Sequence, residues 1–136
     1  MEIIDILKIV VEGGKDLYSQ FGYYPSEELY KNGLRVYFAE KGIKVEDSRS
    51  IPIIYRGYQI GNAEMDLVLD DKIVVELKRR DSGEILRADR SQLKHYLRNS
   101  EYKFGIIVCF GIDKICFEAY KIENEELKPL ESLDLE

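Results

Sequence analysis

Apolar residues recur at helical spacing over residues 3–20, with Ile3, Ile4, Leu7, Val10, Val11 and Leu17 near one side. A first helix is predicted there, weakened in its middle by Gly13-Gly14. Phe21-Gly22-Tyr23-Tyr24-Pro25 ends it. Ser26 then has the place of an N-cap, and Glu27 and Glu28 suit the positive end of a helix dipole. This second helix runs to about Lys41, with Gly42 as its stop and Leu29, Leu34, Val36 and Phe38 as expected core positions. From Ile43 the period shortens. Strands are predicted over 51–55, 58–69 and 72–78, with turns at Arg56-Gly57 and Asp70-Asp71 and an interruption at Gly61-Asn62. Residues 84–99 form an amphipathic helix with Leu86, Leu93 and Leu97 in one stripe. Residues 104–110 are nearly all apolar, as in a strand buried on both faces, and 114–122 make a last strand. The order α-α-β-β-β-α-β-β predicts one α/β domain, a central mixed sheet flanked by helices.

A chain of 136 residues is long enough to bury such a core without disulfides. With 45% hydrophobic and 34% charged residues it is ordinary globular protein. No apolar run is long enough to span a membrane, and the acidic start Met1-Glu2-Ile3-Ile4-Asp5 is unlike a signal peptide. An intracellular protein is expected. The net charge of −6 argues against a nucleic-acid partner until its distribution is read. Six acids and one lysine fall between Glu123 and Glu136, whereas eight bases and four acids lie between Lys72 and Arg98. A domain over 1–122 with a basic middle therefore carries an acidic tail over 123–136. Cys109 and Cys116 sit in apolar runs as expected free thiols, although a short hairpin could set them opposite each other. His95 is the only histidine, and no nucleophile elbow or phosphate-binding glycine loop is present.

The chemistry lies between Asp66 and Lys78. On a strand, Val74, Glu76 and Lys78 share one face, and two opposite charges there are costly to bury unless paired or coordinated. Pairing about the Asp70-Asp71 turn sets Asp66 opposite residue 75, near Glu76 at one end of the hairpin. Two adjacent carboxylates repel unless a cation compensates them, and a hard oxygen-ligated ion such as Mg²⁺ suits the set. Such an ion polarises a phosphoryl oxygen and acidifies water, with Lys78 placed to assist. The spacing alone also permits a plain edge-strand salt bridge between Glu76 and Lys78.

The surrounding segments resemble the GxxExxY family of the PD-(D/E)xK nuclease superfamily, over about residues 21–120. Glu27-Glu28-Leu29-Tyr30 looks like the ExxY part of the naming motif, and Ile60-Gly61-Asn62-Ala63-Glu64-Met65-Asp66-Leu67-Val68-Leu69 like the strand carrying the metal-binding aspartate. Ile73-Val74-Val75-Glu76-Leu77-Lys78 looks like the E-x-K strand, and Ser91-Gln92-Leu93-Lys94-His95-Tyr96-Leu97 like the helix bearing Gln and Tyr. The resemblance implies a restriction-endonuclease-like core. It implies Mg²⁺ or Mn²⁺ on Asp66, Glu76 and the backbone carbonyl of Leu77, with Lys78 catalytic. Glu27 would join as a ligand or through water, and Gln92 and Tyr96 would touch the metal shell or the phosphate. The naming glycine is Tyr24 here, and a usual upstream histidine corresponds to Tyr18. Taken alone, Glu27 is a first-turn acid, Gln92 a surface residue and Tyr96 the edge of a core. Beside such a site, Arg79, Arg80, Arg87, Arg90, Lys94 and Arg98 are candidates to hold a nucleic-acid backbone. The expected activity is metal-dependent hydrolysis of phosphodiesters, DNA favoured over RNA and with little sequence specificity, by a monomer or a homodimer. The alternatives are a non-catalytic nucleic-acid- or protein-binding module on the same fold, or a subunit of a larger complex.

Overall fold

Helix α1 (Ile3–Phe21) runs unbroken through Gly13 and Gly14 in the computed structural model, which describes residues 1–131. The glycines serve close packing. A methyl group on Gly13 would lie 2.8 Å from the Tyr37 ring, and one on Gly14 2.9 Å from the Phe117 ring. Helix α2 (Glu27–Glu40) starts where Ser26 accepts a bond from the Leu29 N–H. Its buried side is Tyr30, Leu34 and Phe38, while Leu29 and Val36 are exposed, so the expected core stripe is corrected by about one residue. The Tyr30 ring stacks on Phe110 with centroids 3.7 Å apart.

Six strands follow around the remaining helix: β1 (Val45–Tyr55), β2 (Tyr58–Leu69), β3 (Ile73–Arg79), helix α3 (Arg87–Arg98), β4 (Phe104–Phe110), β5 (Ile115–Glu123) and β6 (Glu126–Pro129). They form one sheet in sequence order, antiparallel except for the parallel pair β3 and β4. The mixed α/β architecture is the expected one with a strand added. Residues 126–129, assigned from their charge to the tail, pair with β5, and the rest of that tail from 132 lies outside the described residues. Helices α1 and α2 cover one sheet face, meeting Leu67, Val75, Leu77 and Val108, while α3 covers the other at Val74, Ile107 and Cys109. Cys109 and Cys116 are register partners and are free thiols. No helix among the described residues is long and apolar enough to cross a membrane.

Two local features place the site. The loop after β2 takes in Lys72 as well as Asp70 and Asp71: both aspartates adopt left-handed φ, 50° and 55°, and Lys72 N–H donates back to the Leu69 carbonyl at 2.9 Å, so that Ile73 is the residue paired with Leu69. Leu67 thus faces Val75, and the next rung sets Asp66 against Glu76, not against residue 75. A one-residue change of register moves a side chain to the other face, so this loop is what brings the two carboxylates together. The second feature is the start of α3, later than expected. Asp89 accepts a bond at 2.9 Å from the Leu86 N–H and a second at 3.0 Å from Arg80, which holds 80–86 as a loop and leaves Leu86 exposed.

That loop lies against the β4–β5 turn, with Ile112 N–H donating to the Asp81 carbonyl at 3.1 Å. A methyl on Gly111 would sit 2.4 Å from the Cα of Gly83, a backbone atom that no rotamer change can clear. Gly111→Ala is expected to lower stability by about 2 kcal/mol or more, read from urea unfolding.

Candidate active site

Pairing between β2 and β3 stops at Leu67 and Val75, and beyond it the strands are held by side chains. Leu77 N–H donates to Asp66 Oδ2 at 2.8 Å, and Asp66 N–H donates to Glu76 Oε1 at 3.2 Å. Each carboxylate replaces a missing ladder partner of the other strand. Across the sheet, Ser48 takes a left-handed φ of 53°, and the alternation of β2 slips there: Met65 and Ala63 join the side of Val68. Asp66 therefore lies at a kink, where the strand opens into a gap.

This gap is electrostatically unbalanced. Glu76 is only 2% exposed, and burial, then the charges of Asp66 and Glu27, raise its pKa well above the usual carboxylate range. Burial also raises Asp66, against the opposing bond from Leu77 and the charge of Lys78. Among the described residues, Asp66 Oδ1 and Glu76 Oε2 accept no hydrogen bond. A strand residue turns its N–H and C=O the same way, so the Leu77 carbonyl also points toward Asp66. No group of three or more His, Cys, Asp or Glu side chains converges among the described residues. Two carboxylate oxygens and one carbonyl still suit a hard divalent cation, which keeps several waters and takes few protein ligands. The two raised carboxylate pKa values mark the positive charge that such an ion would supply.

Lys78 stands beside the gap at the head of a hydrogen-bonded chain. Its Nζ donates to Gln92 Oε1 at 2.8 Å, Gln92 Nε2 donates to the Tyr96 hydroxyl at 3.0 Å, and that hydroxyl donates to the Glu64 carbonyl at 2.7 Å. Gln92 and Tyr96, one turn apart on α3, thus link β3 to β2. Their hydrogen bonds run to Lys78, to each other and to the Glu64 carbonyl. Glu27 lies at the rim, its Oε2 accepting the Arg79 N–H at 3.2 Å. Arg79 in turn donates to the carbonyls of Pro25 and Tyr23, each at 2.8 Å, and stacks on the Tyr23 ring. It latches the α1–α2 loop to β3.

The expected basic patch is largely satisfied within the chain. Besides Arg79, Arg80 pairs with Asp89, Arg90 with Glu118, Lys94 with Glu126 and Arg98 with Glu125. Arg87 is exposed. Lys31 was missed in the sequence. Its side chain is 12% exposed, on α2 one turn beyond Glu27, and it reaches Asp47 at 3.1 Å and the Ser48 hydroxyl at 3.3 Å. Its charge acts on Asp66. The four-residue spacing from Glu27 was the available signal, since it places both on one helix face.

The crystal structure of SSO0001 superposes on the chain with a TM-score of 0.55 at 24% identity, over 79% of this chain and 52% of that one. The chain spans about half the length of that protein, and the likeness shows a shared restriction-endonuclease-like α/β fold. No curated protein matches the chain. Residues 4–121 match the family model of the PD-(D/E)XK nucleases. The match spans β2, β3 and α3, and with them Asp66, Glu76, Lys78 and Gln92: the chain belongs to the PD-(D/E)XK nuclease superfamily.

Proposed function

We propose that the protein is a divalent-metal-dependent nuclease of the GxxExxY type, hydrolysing phosphodiester bonds of DNA inside the cell. The observation that carries this reading is the reciprocal clasp of Asp66 and Glu76, a half-buried and a buried acid that each leave one carboxylate oxygen unshared beside Lys78. Asp66, Glu76 and the Leu77 carbonyl would hold Mg²⁺ or Mn²⁺, with Glu27 joining through water. The bound ion supplies Lewis acidity toward the phosphate and makes the attacking water more acidic. Lys78 would orient that water and, as the free amine left once its ammonium has released a proton to solvent, would take the water's proton. Gln92 keeps the Lys78 ammonium at the gap, and the Tyr96 hydroxyl fixes which way the Gln92 amide faces. The ExxY signature also has a physical reading: Glu27 faces the rim while Tyr30 anchors α2 on Phe110.

The test is calorimetric titration of Mn²⁺ into the protein, then incubation with mixed single- and double-stranded nucleic acids. Saturable binding with metal-dependent cleavage is expected. Metal binding with no cleavage of any substrate would favour a binding module on the same fold. Gln92→Leu removes the acceptor at Lys78 but no metal donor. It is expected to lower kcat about 10- to 100-fold and to alter the pH profile, with Mn²⁺ affinity unchanged.

Lys31→Met should leave cleavage chemistry in place and should not weaken Mn²⁺ binding, since Lys31 contributes positive charge beside Asp66 and no donor oxygen. Its expected effect is a rise in KM of about tenfold or less, through loss of a positive charge near the candidate site that already pairs with Asp47 and Glu28. Steady-state kinetics on one oligonucleotide separate this from a fall in kcat.

A further inference from the structure

Strands β1 and β2 continue far past the end of β3 pairing, from Arg49 against Met65 out to Tyr55 against Tyr58. The base of this ribbon is covered by α3, through Ile51, Ala63 and Met65. Beyond it, residues 54–60 are all exposed, and four of them are large and hydrophobic: Ile54, Tyr55, Tyr58 and Ile60, with Tyr58 at 75%. A bare two-stranded ribbon is marginally stable in water, and exposed apolar side chains at its tip call for a partner.

Three observations identify the partner. From Ile51 to Ala63 there is no acid, in a chain of net charge −6, and Arg56 stands at the tip between the two tyrosines. The outer edge carries Pro52, which has no N–H to offer a further strand, so addition of another chain along β1 is blunted. The same strand that forms the arm carries Asp66 at its other end. We propose that this arm enters the major groove of double-stranded DNA whose backbone lies at the Asp66–Glu76 gap. This rests on the nuclease reading and names the substrate class for the same site. A β-ribbon fits the major groove of B-DNA, about 12 Å wide, and not the deep narrow groove of an RNA duplex. Tyr55, Tyr58 and the two isoleucines meet bases and thymine methyls there, and Arg56 meets phosphate or guanine. Eight residues separate Tyr58 from Asp66. At about 3.3 Å per residue the tip reaches roughly 26 Å from the gap, about eight base pairs along a duplex.

The test compares duplex binding by the protein and by Tyr55→Ser/Tyr58→Ser, both in a Glu76→Gln background so that DNA stays whole. Fluorescence anisotropy is read on labelled DNA duplexes of 6 to about 24 base pairs, and the ratio of the two dissociation constants cancels the gain in sites with length. A ratio near one on the shortest duplex, rising to about tenfold or more once the duplex outreaches the arm, supports the proposal. Tyr55→Phe/Tyr58→Phe should restore binding, which separates lost contact from lost folding. A ratio that stays near one at every length overturns the arm and leaves the nuclease reading intact if the wild type still cuts. An equal gain on a 20-base-pair RNA duplex overturns groove entry. Wild-type dimers that the double variant converts to monomers in sedimentation would assign the arm to a second copy. Wild type that neither binds nor cuts any duplex removes both readings together.

Discussion

Glu76→Gln is expected to reduce phosphodiester cleavage by about 10³-fold or more, a loss of about 4 kcal/mol of transition-state stabilisation, and to abolish calorimetric Mn²⁺ binding. It is also expected to make the metal-free protein more stable at neutral pH. The two effects have one cause. Burial and the neighbouring charges of Asp66 and Glu27 raise the Glu76 pKa in the folded state above its unfolded value. A carboxyl group shifted upward favours folding only while it is protonated. Its contribution is complete below the unfolded pKa and is lost as pH rises through the folded one. The metal-free wild type should therefore lose stability on going from mildly acidic to neutral pH, and Glu76→Gln should flatten that slope. Saturating Mn²⁺ should restore wild-type stability, because a ligand bound only by the folded state shifts the equilibrium toward it. Thermal melts across pH, with and without Mn²⁺, check each part. A variant that keeps full cleavage, or a metal-free wild type whose stability rises over that interval, would refute the assigned role.

Lys78→Met is expected to cost about 10²- to 10⁴-fold in kcat, the range for a lost proton-transfer group. Mn²⁺ binding should survive, since a cation beside the gap opposes a second one and its removal takes away no donor. This pattern of metal retained and chemistry lost is the opposite of that for Glu76→Gln. Lys78→Arg should remain impaired. A guanidinium does not give up a proton, and its planar fork does not match the place of an ammonium 2.8 Å from Gln92 Oε1. Recovery of most activity in the arginine variant would show that only the positive charge matters. Calorimetry on each variant, followed by single-turnover cleavage, measures both terms.

Much of this architecture was legible before any coordinates. Local periodicity is a property of neighbouring residues, so both N-terminal helices, the apolar β4 and the alternation of Glu76 with Leu77 could be read directly. Strand β6 escaped because Glu126 to Pro129 carries too few apolar residues to show a period, and its charges suggested a tail. Leu29 and Val36 read as core positions in the sequence because apolar character does not say which stripe of α2 meets the sheet. The basic residues of α3 were read as a patch because their partners, Glu118, Glu125 and Glu126, lie 27 to 32 residues away in the chain.

By itself the sequence determined which residues could carry the chemistry: an aspartate, a glutamate and a lysine on adjacent strands, with Gln92 and Tyr96 on one helix face. Only the tertiary structure decided how they meet. The added loop residue Lys72 shifts the register, so that Asp66 and Glu76 share a face and clasp each other's backbone. Gln92 was likewise aimed at Lys78 only once α3 had packed across β3. Side-chain type is written locally, but register and the distance between carboxylates follow from loop length, backbone twist and packing, which are settled only when the whole sheet closes.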